Sequence, residues 1–332
     1  MKASERVALP ETTVQMTKMG LGSVAIAGLY TDVPDATARN TVLRAVERGV
    51  GFFDTAPLYG LGMAERRVGD ALHDVPRSEF VLSTKVGRLL RSGEAAKNSS
   101  LERDYSHLHS GESMFKGIGE EQLFWDFSYD GVMRSIEESL ERLQMSRVDM
   151  VFVHDPEEHM DVAVTETMPA LVELRDQGVI GAVGVGLDFE SVGMRFVQET
   201  DVNCLLVAGR CTLLDRSAVP ELFPLCEQRG VSVIAASVFN SGLLADPIRN
   251  SNYWYEPADA AVLAKAISMS DACDRYGVPL RAAALQYPYR FAPVVSVLVG
   301  AASPAQVDDN VDNLEINIPE ALWQELDELS AE

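Results

Sequence analysis

A chain of 332 residues with 50 acidic and 28 basic side chains carries a formal net charge of -22, which argues against nucleic acid or an anionic membrane surface as partner, since both attract basic patches. No apolar run approaches the roughly 18 residues of a membrane span, and the start MKASERVALPETT has no apolar segment of signal-peptide length, so a cytoplasmic location is expected. The four cysteines, Cys204, Cys211, Cys226 and Cys273, lack CxxC spacing and point to packed, reduced thiols rather than a zinc site or a disulfide framework.

Residues 1–19 read as an extension that covers one end of the fold. Beyond it, short apolar runs bounded by turn formers predict strands at Leu21–Ala25, Val50–Asp54, Phe80–Lys85, Val148–His154, Ala182–Val185, Cys204–Val207, Val231–Ser237 and Val294–Val299. Helical spacing follows at Ala36–Arg48, Ala64–His73, Gly131–Leu143, Val164–Gln177, Ser191–Glu199, Pro220–Arg229, Ala258–Tyr276 and Pro304–Asn313, with an added C-terminal helix from Pro319. Apolar strands alternating with helices call for parallel βαβ units, and eight such units without a linker predict one (β/α)8 TIM barrel over 1–332. The rival is a doubly wound sheet with a dinucleotide site, suggested by the GxGxxA match at Gly20–Ala25 and by Gly184-Val185-Gly186. Gly20 begins its strand instead of lying on a strand-to-helix turn, and no acidic residue closes a second strand at the right distance after Gly186, so the barrel is preferred.

In a barrel, polar residues at strand ends face one mouth. Asp54 ends the second strand, Tyr59 follows on its loop, Lys85 ends the third and His154 the fourth. A phenol has an ordinary pKa of about 10; a neighbouring ammonium lowers it, and a carboxylate keeps that ammonium charged and placed. Asp54, Lys85 and Tyr59 are therefore expected to form a proton relay, with His154 holding the substrate oxygen. Each also has a plainer reading: Lys85 and Asp54 as a structural ion pair, His154 as a cap for the loop HDPEE. Four complementary groups on neighbouring strand ends favour catalysis.

The stretch GVGFFDTAPLYGLGMAERRVGDAL, with Asp54, Tyr59, Gly62, Glu65 and Gly69, together with STK and FVHDPE, resembles the signatures of the aldo-keto reductases, and the resemblance runs over nearly the whole chain to GAASPAQVDDN. It implies a barrel enzyme of aldo-keto reductase type that uses a nicotinamide cofactor and no metal, with Tyr59 as general acid or base, Lys85 and Asp54 tuning it and His154 orienting the substrate. It also implies a cofactor site built from Ser237, Phe239, Asn240, Ser241, Gly242 and Leu243 in one loop and from Gly300, Ser303, Gln306, Asp309 and Asn310 after the eighth strand. WDFSYDGVMRSIEESLERLQMSRVDMVFVHDPE, AGRCTLLD and ASVFNSGLL narrow the resemblance to the subgroup of aldose 1-dehydrogenases (L-fucose, L-galactose, D-threo-aldose) and pyridoxal 4-dehydrogenases. Both activities oxidise a cyclic hemiacetal to a lactone. The implied partner is a small aldehyde or hemiacetal, for a monomer or small homo-oligomer. The alternatives are a general aldehyde or ketone reductase and a cofactor-bound redox-sensing subunit with slow turnover.

Departures from the pattern carry their own expectations. Where the wider family holds the carboxamide with Ser-Asn, this chain has Gly186-Leu187; the usual stacking aromatic is Ala236, with Phe239 or the Tyr253-Trp254-Tyr255 cluster as substitutes. NAD is expected over NADP, because the positions that carry a lysine and an arginine in NADP-selective relatives are Gly300 and Gln306, and Asp308 and Asp309 beside them would repel a 2'-phosphate. Residues 88–129 show no clear helix or strand period and are read in part as a substrate lid. The HxH of His107 and His109 within them is read as surface decoration, since no third metal ligand is evident.

Overall fold

The computed structural model describes residues 1–249, 252–254 and 256–331. Eight parallel strands close into a barrel: β1 (Met19–Gly22), β2 (Phe52–Asp54), β3 (Val81–Val86), β4 (Met150–His154), β5 (Ala182–Leu187), β6 (Cys204–Ala208), β7 (Ser232–Ala236) and β8 (Val294–Gly300), each paired with the next and β8 with β1. The doubly wound alternative is thereby excluded. Side chains alternate across each strand. Phe52, Val81, Phe152, Leu206, Ile234 and Leu298 fill the barrel interior, while Phe53, Leu82, Val153, Val185, Leu205 and Val297 belong to the larger core beneath the outer helices. A hairpin of Arg6–Ala8 and Gln15–Thr17 precedes β1, and Leu9, Val14 and Met16 beside it belong to the interior cluster.

The outer layer comprises α1 (Asp35–Glu47), α2 (Met63–Leu72), α3 (Tyr129–Leu143), α4 (Met168–Asp176), α5 (Glu190–Glu199), α6 (Leu222–Arg229), α7 (Ala260–Arg275), α8 (Leu280–Gln286), α9 (Pro304–Glu315) and α10 (Glu320–Ala331). Among the described residues no helix is long and apolar enough to cross a membrane. Helix α8 was not expected: RAAALQ follows the helical Ala258–Tyr276 pattern after only a short Gly-Val-Pro break, and its alanines leave little periodic contrast. The first strand lies earlier than its apolar run suggests, because the Ser23 amide donates to the Asp54 carbonyl at 3.0 Å and Ala25 begins a single 3-10 turn.

The segment without a visible period is ordered. Arg88–Arg91, Gln122–Trp125 and Arg103–Asp104 form a three-stranded antiparallel sheet, and Leu108–His109 pairs with Glu112–Ser113. Strands of two to four residues are too short for alternation to show in the sequence. The Lys116 amide reaches the Gly28 carbonyl and the Tyr30 amide reaches the Met114 carbonyl, both at 2.9 Å, tying this segment to the loop after β1.

Two residues of the LGMAERRVGDAL stretch have structural roles. A Cβ on Gly69 would lie 2.1 Å from the Leu143 carbonyl oxygen, so only glycine lets α2 approach the end of α3 so closely. Glu65 is fully buried. Its carboxylate accepts from Thr84 Oγ1 of β3 at 2.7 Å and from Arg142 Nε of α3 at 2.5 Å, joining three elements. Removing one partner of such a pair strands the other charge in a dry site. Glu65→Ala should cost about 3–5 kcal/mol in urea unfolding; a loss below about 1 kcal/mol would show that Arg142 finds solvent without it.

Candidate active site

The C-terminal ends of β2, β3 and β4 bring the predicted polar residues together. Asp54 and Lys85 are each 1 % exposed. Lys85 Nζ donates to Asp54 Oδ2 at 2.5 Å and to the Thr55 carbonyl at 3.0 Å, while Ser83 Oγ donates to Asp54 Oδ1 at 2.6 Å. Ser83 and Lys85 are two apart on one strand and therefore share its inner face. The ring of Tyr59 lies with its centroid 4.7 Å from Lys85 Nζ. His154 meets that ring edge-on, at 5.7 Å between centroids and 88° between planes.

The electrostatics differ from what the residue types suggest. The Tyr59 phenol is pushed well above its ordinary range, first by burial and then by the Asp54 and Asp155 carboxylates. The Lys85 ammonium is engaged by Asp54 and Thr55 and meets the face of the ring. Burial outweighs the other influences on this phenol. Burial, reinforced by Arg88 and Lys85, drives the His154 imidazole well below its usual pKa, so it is neutral near pH 7. Its Nε2 lies 3.4 Å from Asp155 Oδ2, and its Nδ1 has no hydrogen-bond partner.

Several residues of this mouth had no role assigned from sequence. Arg88, 2 % exposed, donates to Asp104 Oδ2 at 2.6 Å, to the His154 carbonyl at 3.0 Å and to Asp155 Oδ2 at 3.2 Å, with its guanidinium 4.1 Å from the Trp125 ring centroid. It anchors the long segment to the histidine. Asp188 follows β5, which runs two residues past its predicted end and carries this carboxylate to the mouth. Burial, then Asp155 and Glu157, raise Asp188 to about 7. The strand-end rule that singled out Asp54, Lys85 and His154 would have found it had β5 been read to Leu187.

The other half of the mouth is nearly bare of side chains. Gly186, in register with His154, ends the inner face of β5; Ala208 and Ala236 end β6 and β7. A Cβ on Gly186 would come within 3.9 Å of His154 Cδ2 and Lys85 Cε. Buried polar atoms without partners lie in the segments around the opening: Ser23 Oγ, Thr55 Oγ1, His154 Nδ1 and Asn240 Oδ1. A flat group bearing an amide fits this donor and acceptor set. The loop after β7 holds Ser237, Asn240 and Ser241 at φ of 55°, 46° and 58°, and Gly242 at 94°. Ser241 bonds Tyr30 in the loop after β1. Leu243 is buried in the outer core and the partly exposed Phe239 packs against that core. Trp254 instead lies on Gly209 after β6, with the Arg210 guanidinium 4.2 Å from its ring centroid; Tyr255 lies outside the described residues.

After β8, Ser303 caps α9 by accepting from the Gln306 amide, and Gln306 Oε1 accepts from the Ala302 amide at 2.7 Å, a reciprocal capping box. Asn310 Nδ2 donates to the Gly300 carbonyl at 3.3 Å. The carboxylates expected to repel a phosphate are already paired. Arg44 and Arg48 hold Asp308, at 2.8 and 2.5 Å, and Arg281 holds Asp309 at 2.5 Å while its Nε donates to the Ala245 carbonyl at 3.0 Å. Sequence reasoning missed these arginines because their partners lie up to 264 positions away. His107 is buried and His109 exposed, and the described residues contain no cluster able to hold a metal ion.

A family model described as the aldo/keto reductase family matches residues 18–331. D-threo-aldose 1-dehydrogenase of Pseudomonas sp is 39 % identical over 313 residues, 93 % of either chain. Pyridoxal 4-dehydrogenase of Microbacterium luteolum is 38 % identical over 338 residues, 98 % of this chain and 97 % of the relative. The solved glycerol dehydrogenase from Gluconobacter oxydans superposes with a TM-score of 0.76 over 99 % of this chain and 96 % of its own, at 22 % identity, and so shares the fold.

The raised phenol has a direct optical test. In an alkaline titration followed by phenolate absorbance, wild type minus Tyr59→Phe should show no transition below the ordinary phenol value of 10.0. A Tyr59 transition below about pH 9 would mean that the Lys85 charge reaches the hydroxyl after all.

Proposed function

Because the chain belongs to the aldo/keto reductase family and is a nicotinamide-dependent oxidoreductase, we propose that it oxidises a cyclic hemiacetal, an aldose or pyridoxal, to its lactone. The observation that carries this reading is the buried Lys85–Asp54 pair beneath the Tyr59 ring, with the neutral His154 at that ring's edge. Two relatives at 38–39 % identity, named for an aldose and for pyridoxal, support the substrate class, since both compounds close into hemiacetals.

A bound nicotinamide would supply the hydride acceptor. Ser23, Asn240, Gly300, Ser303, Gln306, Asp309 and Asn310 would hold the cofactor together with the backbone at Ser237, Phe239, Ser241, Gly242 and Leu243, and the small residues Gly186 and Ala236 leave room for its ring. Tyr59 takes the proton of the anomeric hydroxyl in oxidation and returns it in reduction. Lys85, held by Asp54, places its ammonium beneath the Tyr59 ring. His154, neutral, orients the same oxygen. Residues 88–129 act as the substrate lid, held by Arg88 on one side and by the loop after β1 on the other. NAD is the preferred cofactor: Gly300 has no side chain to offer, Gln306 is engaged in its capping box, and Arg281 is neutralised by Asp309.

Tyr59→Phe should lower turnover by about 10²- to 10⁴-fold while cofactor binding survives; retention of more than about a third of wild-type turnover would place the proton elsewhere. Since the resting phenol stays protonated over this range, oxidative turnover should rise from about pH 7 to about pH 10 as the small phenolate fraction grows, while reductive turnover stays level; a flat oxidative profile contradicts Tyr59 as the base. Product trapping should reveal an ester carbonyl before any free acid. For the cofactor, kcat/KM with NAD should exceed that with NADP, and Asp309→Asn, by freeing Arg281, should shift the ratio toward NADP. Equal or better use of NADP by the wild type overturns the preference.

A further inference from the structure

We propose that Arg88 is a positioning residue for His154: it takes the Asp155 carboxylate for itself and so leaves the imidazole free to meet the substrate oxygen. The proposal rests on the role given to His154 above and names what keeps that ring available.

A carboxylate and an imidazole side by side ordinarily pair, which raises the imidazole's affinity for a proton and ties up one of its nitrogens. Asp155 Oδ2 lies 3.4 Å from His154 Nε2, near enough for such a pair. The hydrogen bond to that oxygen comes instead from Arg88, whose Nη2 stands 3.2 Å away. Nη1 of the same guanidinium donates to the His154 carbonyl at 3.0 Å, so one side chain fixes the backbone of the histidine and occupies its neighbour. The other titratable groups facing the ring are Lys85 on β3, its ammonium held by Asp54, and Tyr59 at the ring's edge, while β5 presents Gly186, which has no side chain. With Asp155 diverted to Arg88, burial keeps the imidazole neutral.

The place of Arg88 is built around it. Gly87, at a φ of 109°, turns the chain out of β3, and a Cβ there would lie 2.3 Å from the Phe127 ring. The arginine is 2 % exposed, its Nε donates to Asp104 Oδ2 at 2.6 Å, and its guanidinium lies 4.1 Å from the Trp125 ring centroid. Asp104 is fixed in turn, since its carboxylate accepts from the Ser106 amide at 2.7 Å and from the Ser106 hydroxyl at 3.0 Å. Asp104 and Trp125 both belong to the three-stranded sheet of the long segment, which therefore reaches the histidine through one arginine. A guanidinium suits this task because its planar fork serves three acceptors in fixed directions, whereas an ammonium is a single point on a flexible stem.

The test follows the His154 imidazole through a pH titration by NMR of the whole enzyme carrying isotope-labelled histidine, with His154→Gln assigning its signal among the five histidines. It needs no substrate. Arg88→Met should release Asp155 to the ring and raise the ring's proton affinity about 10-fold or more. Arg88→Gln, which keeps a donor for the His154 carbonyl, should act in the same direction and carries the test if the methionine variant does not fold. Adding Asp155→Asn to either variant should reverse the rise, because the carboxylate that caused it is gone; an arginine with a merely structural role would give no such reversal. At pH 7, kcat/KM with L-fucose and NAD should fall roughly 10- to 100-fold in the arginine variants and recover in part when Asp155→Asn is added. An imidazole that does not move in either arginine variant overturns the proposal, as does a rise that persists without the Asp155 carboxylate. No turnover of any hemiacetal by the wild type would overturn the hemiacetal reading, and the titration would still decide the role of Arg88.

Discussion

The mouth of this barrel is organised around one ion pair in a dry place. Lys85 and Asp54 are both 1 % exposed, and removing two such ions from water costs several kcal/mol each before their attraction is counted. The cost is offset because neither charge relies on the other alone. Ser83 and Lys85 share Asp54, and the Thr55 carbonyl takes a further ammonium proton. These contacts need β2 and β3 adjacent and in the register that sets Asp54 opposite Ser83, which the closed barrel enforces.

The behaviour of the neighbouring groups follows from that pair. The His154 imidazole is kept neutral first by burial and then by Arg88 and Lys85, and the Lys85 ammonium underlies the Tyr59 ring. The carboxylates around the phenol, together with its burial, hold the proton on Tyr59. The phenol is therefore protonated across the neutral range. Across the opening, Gly186, Ala208 and Ala236 leave one side open, which gives the mouth a polar half and a nearly bare half.

Supporting layers fix this arrangement from behind. Glu65 links α2, β3 and α3 through Thr84 and Arg142, holding the strand that carries Lys85. Arg88, on the residues leaving β3, holds the His154 carbonyl and Asp155 and reaches Asp104 in the long segment. A change in that segment is thus felt at the histidine.

Residue order alone carries the barrel and the four polar residues at its mouth. Eight apolar runs separated by helical spacing have few ways to bury both faces of a parallel sheet, and residues at the carboxyl ends of such strands face one opening whatever the details of packing. It also announced Glu65 and Gly69, though not why they are needed. The partners of charges, by contrast, emerge only on folding. Asp308 and Asp309 read as free repulsive carboxylates until Arg44, Arg48 and Arg281 meet them from distant helices. The segment 88–129 read as aperiodic because its strands gain their pairing from one another and not from local pattern. The Tyr59 phenol read as acidic because residue types suggest an ammonium at its hydroxyl, whereas folding sets that ammonium against the ring face and encloses the phenol. Sequence order records which groups are present; the sign of their mutual influence depends on distance, direction and access to water, and those exist only once the chain has closed.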